Sequence, residues 1–158
     1  MQRAVSDWQG ICNIYFDYKS DFDELSPGST VPDLDFVVRG INANGAFIAQ
    51  AFFPGDPPMK RRVLVDPSYY HANFDRVGIF RHELGHVLGA RHEHIWSNDE
   101  DCKGERVVEG YLGADSLTPY DRYSVMHYLC GNSSGTRELA FTSFDSLGAR
   151  KLYGPPVH

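Results

Sequence analysis

The spacing of three histidines between His82 and His92 constrains this chain more than any other feature of its sequence. If residues 79–88 form a helix, His82 and His86 lie one turn apart and project from the same face. Gly89 can adopt the left-handed conformation that ends a helix, so the chain can turn there and bring His92 toward the other two imidazoles. Three protein ligands plus water are the pattern of a catalytic zinc, whereas a structural zinc has four protein ligands. The spacing therefore predicts one catalytic Zn²⁺ held by His82, His86 and His92.

Glu83 adjoins the first of these histidines, and we expect its carboxylate to hold a water molecule at the metal. The alternative is a solvated helix face with two unrelated histidines, because His-Glu-x-x-His also occurs by chance. Gly89 and His92, at their fixed offsets, argue against that alternative. The opposite face of the helix is predicted to pack on a core, since apolar residues recur there at steps of three and four: Val77, Phe80, Leu84, Val87 and Leu88.

The overall composition is that of a globular protein, with 42% hydrophobic residues in a chain of 158. This length suits one domain, residues 1–158. The formal net charge of -6 gives no reason to expect nucleic acid or an anionic membrane as a partner. No apolar run approaches the length of a membrane-spanning helix. We therefore expect neither a nucleic-acid partner nor a membrane partner.

A second motif, Ser124-Val125-Met126-His127-Tyr128, lies downstream. The stretch from His82 to His92 resembles the long zinc motif of the metzincin metallopeptidases, and Ser124–Tyr128 resembles their Met-turn. The resemblance implies a zinc metalloendopeptidase with an α+β fold: a mixed, twisted sheet, a central zinc-binding helix, and a small irregular C-terminal lobe that ends in a helix. It divides the chain into an N-terminal lobe, residues 1–92, and a C-terminal lobe, residues 93–158. Because the chain enters within the first long helix of that pattern, the family's first strand is either absent or upstream.

The two halves of the chain resemble different branches of this family. Gly45–Gly55 resembles the edge strand of matrixins, which pairs with an extended peptide substrate through main-chain hydrogen bonds. Matrixins carry a structural-zinc histidine where Gln50 stands, so a second zinc is not expected, and His71 is expected to be a surface or capping residue. Downstream, His92-Glu93-His94 and Thr118-Pro119-Tyr120-Asp121 resemble astacins.

The resemblance also implies roles for single residues. Glu83 is implied to be the general base, which takes a proton from the zinc-activated water and passes it to the leaving amine. Tyr128 matches the tyrosine with which astacins and serralysins stabilise the transition state; the alternative is a buried tyrosine whose hydroxyl binds the backbone. Met126 is implied to lie beneath the imidazoles as an apolar floor, without being a ligand. His94 and His127 are expected to be structural or surface groups.

Apolar periodicity and turn residues predict the remaining elements. Residues 4–10 are predicted to be the end of a helix, and a last helix runs to Tyr153 from a capping sequence that begins at Thr142. Asn73 or Asp75 is predicted to cap the zinc helix. The remaining predictions are a surface loop at residues 21–33 and strands at Ile11–Tyr18, Asp35–Ile41, Ala46–Phe53 and Arg62–Val65, the last of them central in its sheet.

The three cysteines bear on the compartment. Cys102 and Cys130 both lie beyond the zinc helix and are predicted to form a disulfide, which implies an oxidising environment and a secreted or extracellular protein. Cys12 is left over. A buried free thiol is the expected state of Cys12, and an inhibitory thiolate on the zinc is the alternative.

The function predicted from these features is zinc-dependent endoproteolysis of a protein or peptide that binds in extended form along the edge strand. Two alternatives stay open. A zinc amidase acting on a non-peptide substrate would need no strand suited to peptide pairing. A zinc-bearing binding module that has lost catalysis would need no Glu83, which this chain retains.

Overall fold

The computed structural model describes residues 1–26, 34–98, 101–102, 113–130 and 135–157. The principal helices are α1 (Gln2–Ile11), α2 (Arg76–Val87) and α3 (Ser143–Tyr153). The strands among the described residues are β1 (Val37–Gly40), β2 (Ala49–Gln50) and β3 (Arg62–Val65). This set of elements confirms the α+β class expected from the sequence.

The strands form a mixed sheet in the order β1-β3-β2. β3 is central, as predicted, with β1 parallel and β2 antiparallel to it. Val63 of β3 is fully buried under the helices, whereas its neighbour Arg62 is exposed, as expected for a strand covered on one face. The predicted strands Asp35–Ile41 and Ala46–Phe53 are both shorter than expected. In the second, pairing is limited to Ala49 and Gln50, and the amide of Phe53 instead donates to the Asp56 carboxylate at 2.8 Å.

The strand predicted at Ile11–Tyr18 is wrong. α1 continues to Ile11, where the amide of Cys12 still donates to the carbonyl of Trp8 at 3.2 Å. The amide of Asn13 then donates to the carbonyl of Gly154, and the segment pairs with no strand among the described residues. Its alternating apolar residues indicate burial, which a non-strand segment packed on helices also satisfies.

α2 forms the centre of the molecule, and its N-terminus is capped by Asp75. The carboxylate of Asp75 accepts the amide of Gly78 at 2.6 Å, so Asp75 is the one of the two predicted caps that the structure uses. α1 packs against α2, where the indole of Trp8 donates to the carbonyl of Arg81 at 2.9 Å. The buried core between the helices and the sheet consists of Ala4, Trp8, Cys12, Val63, Phe80, Leu84 and Ala149.

α3 closes the fold and begins with the capping sequence predicted for it. The hydroxyl of Thr142 accepts the amide of Asp145 at 3.1 Å, and the Asp145 carboxylate accepts the amide of Thr142 at 2.9 Å. At its other end Tyr153 donates its hydroxyl to the carbonyl of Leu88 at 2.6 Å, just beyond α2. The final helix is therefore joined to the residue that follows the central helix.

Within the described ranges, no helix combines the length and the apolar character that crossing a membrane requires.

Candidate metal-dependent active site

The three predicted histidines converge on one point at the C-terminal end of α2. The Nε2 atom of His92 lies 3.0 Å from the Nε2 atom of His82 and 3.0 Å from that of His86. Gly89 makes this possible: its φ of 90° lies in the left-handed region, and its amide donates to the carbonyl of His86 at 2.9 Å. The chain turns there and returns His92 to the helix face, so all three imidazoles are buried together.

Hydrogen bonds at the far ring nitrogens set the orientation of two of these imidazoles. Nδ1 of His82 donates to the carbonyl of Val125 at 2.8 Å, and Nδ1 of His86 donates to the carbonyl of Ala90 at 2.9 Å. A carbonyl oxygen only accepts, so the proton is on Nδ1 and the Nε2 lone pairs face the common point.

This donor set fits a zinc ion. Nitrogens about 2.0–2.1 Å from a tetrahedral zinc are separated by roughly 3.3 Å, close to the spacing of these Nε2 atoms. Burial lowers the pKa of His86 to about 3, with the nearby His92 and Arg91 adding to the effect. Burial also lowers the pKa of His92 to about 3, helped by His94, His127 and Arg91. Neutral imidazoles are the form that binds a metal.

Glu83 lies on the same turn of α2, with its carboxylate buried. The Ala51 amide, next to β2, hydrogen-bonds to this carboxylate, while Oε2 has no hydrogen-bond partner among the described residues. Burial raises the pKa of Glu83 to about 8 against the smaller opposing effect of the Ala51 amide. A divalent cation at the histidines would favour the ionised carboxylate. A buried carboxylate with one oxygen available is suited to hold and deprotonate a water molecule.

Tyr128 reaches the site from the Met-turn. Its ring centroid lies 4.0 Å from that of His92 and 5.7 Å from that of His82. The rings of Tyr128 and His82 are nearly parallel, at 16°. Tyr128 itself remains 39% exposed, so its ring lies between the buried histidines and solvent. That exposure does not agree with the alternative of a buried tyrosine.

Met126 lies against α2 at Gly85 and is 4% exposed. Gly85 permits this approach, because a β-carbon at that position would collide with the Met126 sulfur. The methionine therefore packs directly on the helix that carries two of the histidines, as an apolar floor requires.

Asp145 holds the Met-turn in place, a role that its capping position on α3 did not predict. Its carboxylate accepts the hydroxyl of Ser124 at 2.6 Å and the amide of Val125 at 3.0 Å, besides its bonds to Thr142. The Val125 carbonyl is in turn the partner of His82. Burial raises the pKa of Asp145, and the hydrogen bonds from Ser124, Thr142 and Val125 oppose the rise.

His127 and Glu93 connect the segment around Tyr120 to the Met-turn and to the residue after His92. His127 is fully buried, and burial lowers its pKa; its ring contacts both Tyr120 and the backbone of Tyr128. Glu93 accepts the amide of Asp121 at 2.8 Å, and burial raises its pKa to about 7. His127 was expected to be structural or at the surface, and it is in the interior.

The remaining histidines and the cysteines contribute no atom to the group of three converging nitrogens. His94 is buried and stacks on His92, whereas His71 is exposed at the end of the short 3₁₀ turn Pro67–Tyr70. Cys102 and Cys130 form the predicted disulfide, with an S–S distance of 2.09 Å. Cys12 is free and buried, also as predicted.

Sequence reasoning missed the groups that support the site: the Ala51 amide, the Val125 carbonyl, Asp145 and the pair of Tyr120 and His127. The backbone groups leave no trace in residue identity. For Asp145 the only signal was its capping motif, which accounts for a local role alone.

Comparison with known proteins places these features among zinc metalloproteinases. No family model matches the chain. It is 35% identical to zinc metalloproteinase dpy-31 of Caenorhabditis elegans over 91 residues, 49% of this chain, and 34% identical to dpy-31 of Haemonchus contortus over 85 residues, 46% of this chain. It is 25% identical to human matrix metalloproteinase-16 over 175 residues, which cover 99% of the chain.

The chain spans only 14% of the length of either dpy-31 protein and 23% of matrix metalloproteinase-16. The solved structure of myroilysin shares its fold, with a TM-score of 0.60 at 20% identity, over 96% of this chain and 83% of that one. The relatives confirm the predicted resemblance to zinc metalloproteinases, and the triad of His82, His86 and His92 fits a metzincin zinc motif.

Proposed function

We propose that this chain is the catalytic domain of a zinc-dependent endopeptidase, which hydrolyses peptide bonds with Glu83 as general base. The observation that carries the proposal is the convergence of three Nε2 atoms beside a buried carboxylate that has one available oxygen. We take residues 1–158 as one domain, with an N-terminal lobe of residues 1–92 and a C-terminal lobe of residues 93–158.

His82, His86 and His92 would hold one zinc ion, whose Lewis acidity polarises a carbonyl and acidifies a water molecule. The protein residues around it do the rest. Glu83 holds the water by its available oxygen and takes the proton during attack, then gives it to the leaving amine. The Ala51 amide acts on the same carboxylate, so the base lies beside β2 before the substrate arrives.

Substrate binding is proposed to use β2. This strand lies at the edge of the sheet, and the next residue, Ala51, touches the general base. A peptide paired with the outer edge of β2 would therefore lie across Glu83 in extended form. Such pairing recognises main chain, which favours a protein or peptide over a non-peptide amide. No observation favours the amidase or the silent binding module.

Tyr128 is proposed to stabilise the oxyanion. Its ring contacts His82 and His92 from the solvent side, where a substrate carbonyl would enter. A phenol that donates to oxygen only as negative charge develops lowers the barrier without tightening substrate binding equally.

We also propose that the protein is secreted. The disulfide between Cys102 and Cys130 is consistent with an oxidising compartment.

One experiment tests the function. The purified chain, loaded with one equivalent of zinc, is incubated with casein and with a peptide library, with and without chelator, and cut sites are read by mass spectrometry. We expect internal cleavage that the chelator abolishes and zinc restores. The matched variant His86→Ala should fold, bind less zinc by elemental analysis and cut nothing. Absence of cleavage by zinc-loaded protein, or equal zinc content in His86→Ala, overturns the proposal.

A further inference from the structure

His127 forms a bridge between a tyrosine side chain and the backbone of Tyr128. Its Nδ1 donates to the Tyr128 carbonyl at 2.6 Å, and its Nε2 lies 2.7 Å from the hydroxyl of Tyr120. The carbonyl can only accept, so Nδ1 carries the proton; in the neutral ring Nε2 is then the acceptor and the phenol donates. The result is a directed chain of hydrogen bonds from phenol to imidazole to carbonyl.

The far end of this chain is tied to the third histidine. The residue after Tyr120, Asp121, donates its amide to the Glu93 carboxylate at 2.8 Å. Glu93 follows His92 directly, and its own amide donates to the Met126 carbonyl at 2.9 Å. Glu93, the residue that follows His92, is therefore hydrogen-bonded both to the residue after Tyr120 and to the turn that leads to Tyr128.

The ring of Tyr128 packs on the neighbouring histidines. Its centroid lies 4.9 Å from that of His94 at an angle of 20°, in addition to its contacts with His92 and His82. The ring is partly exposed, so a restraint on the backbone from which it projects adds to these ring contacts in fixing its place. The bond from His127 supplies that restraint.

We propose that Tyr120 and His127 are positioning residues for Tyr128: their hydrogen-bond chain fixes the main chain of Tyr128, and thereby the place of its phenol over the histidines. The inference rests on the proposed function, because that function assigns oxyanion stabilisation to the Tyr128 phenol. Neither residue touches the substrate in this account; both act through Tyr128.

The test is a double-mutant cycle of Tyr120→Phe and Tyr128→Phe, each of which keeps its ring and deletes one hydroxyl. The loss of one neutral hydrogen bond is expected to lower the rate by up to about tenfold. We expect Tyr120→Phe to lower kcat by about that factor with KM within twofold, and to have no further effect once Tyr128 is phenylalanine. The matched control is Tyr123→Phe, a half-exposed tyrosine of the same segment, which should behave as wild type.

A second readout does not depend on activity. In metal-free protein with ¹⁵N-histidine and ¹³C-tyrosine labels, NMR should show His127 protonated at Nδ1. Tyr120→Phe should shift the Nε2 signal of His127 and the ring signals of Tyr128, whereas Tyr123→Phe should leave both unchanged. His127→Ala and Tyr128→Phe assign the signals.

The results separate this inference from the function beneath it. A zinc-loaded wild type that cleaves nothing rejects the endopeptidase, and the NMR shifts then decide on positioning alone. Unmoved Tyr128 signals in Tyr120→Phe, or the same kinetic loss with and without the Tyr128 hydroxyl, overturn the inference. So does a loss of kcat that is matched by a loss of bound zinc.

Discussion

At the scale of single residues, the site consists of groups whose orientation is set before any substrate binds. Carbonyl acceptors set the tautomers of His82 and His86, and the Ala51 amide acts on the Glu83 carboxylate. Such restraint matters because a catalytic group that has to be reoriented in each turnover adds to the barrier. Two predictions follow from individual side chains.

Glu83→Gln keeps the size of the side chain and removes its basicity. We expect the variant to fold and to hold one zinc, while kcat falls by about a hundredfold or more, because the variant loses the buried carboxylate beside His82 that takes the proton. Zinc content by elemental analysis and kcat on one peptide measure the two effects, with Glu83→Ala in parallel. Near-normal turnover in either variant rejects Glu83 as the base.

Tyr128→Phe removes only the hydroxyl from a ring that packs on the histidines. We expect kcat to fall on the order of a hundredfold with little change in KM, because the lost hydrogen bond is made mainly in the transition state. Thermal stability and zinc content should stay at their wild-type values. Turnover at the wild-type rate would show that the hydroxyl takes no part; activity lost only together with zinc would mean that Tyr128 supports the metal site instead.

At the scale of elements, the Met-turn is fixed by the first turn of α3. Asp145 caps this helix and at the same time accepts from Ser124 and Val125, so one carboxylate joins a helix start to the loop beneath the site. Through the Val125 carbonyl, this contact reaches His82. Removing it should therefore affect both the stability of the fold and the affinity for metal.

Asp145→Ala deletes the cap and leaves the Ser124 hydroxyl and the Val125 amide without this acceptor. We expect the free energy of unfolding to fall by about 2–4 kcal/mol. Zinc affinity should fall by about tenfold to a hundredfold, as for groups that orient metal ligands. Denaturant titration and a competition assay for zinc measure these, with the exposed first-turn variant Ser143→Ala as control. An Asp145→Ala protein with wild-type zinc affinity would contradict the link to His82.

At the scale of the whole molecule, the cysteines are in two states: one pair forms a disulfide, and one is a buried free thiol. The disulfide joins Cys102 to Cys130, 28 residues apart, and Cys130 lies two residues after Tyr128. Cys12 lies in the core between α1 and the sheet, where burial raises the pKa of its thiol. A raised pKa lowers the thiolate fraction and with it the reactivity.

Reduction of the folded protein should lower its stability by about 3–4 kcal/mol, the chain-entropy value for a loop of that length. Thermal unfolding with and without a phosphine reductant measures the loss, and Cys12→Ala should respond to the reductant as the wild type does. Without reductant, iodoacetamide should leave native protein unlabelled and add one group, at Cys12, in denaturant. Labelling of Cys102 or Cys130 under those conditions would contradict the pairing.

The sequence by itself determined the features that depend on neighbouring residues. The ligand spacing, the turn at Gly89 and the capping sequence at Thr142 each follow from the geometry of one or two helical turns, so residue order is enough. The Met-turn and the cysteine pairing were also predicted, from a family resemblance and from counting.

Tertiary structure alone decided the rest, because contacts between distant segments depend on where the chain passes in space. The apolar alternation of Ile11–Tyr18 signals burial, and only packing on the helices shows that no strand pairs there. Main-chain groups such as the Ala51 amide and the Val125 carbonyl are common to almost every residue type, so no pattern marks them as the partners of Glu83 and His82. The convergence of the three histidines was therefore readable from local order, whereas the groups that hold them in position became visible only when the fold brought them together.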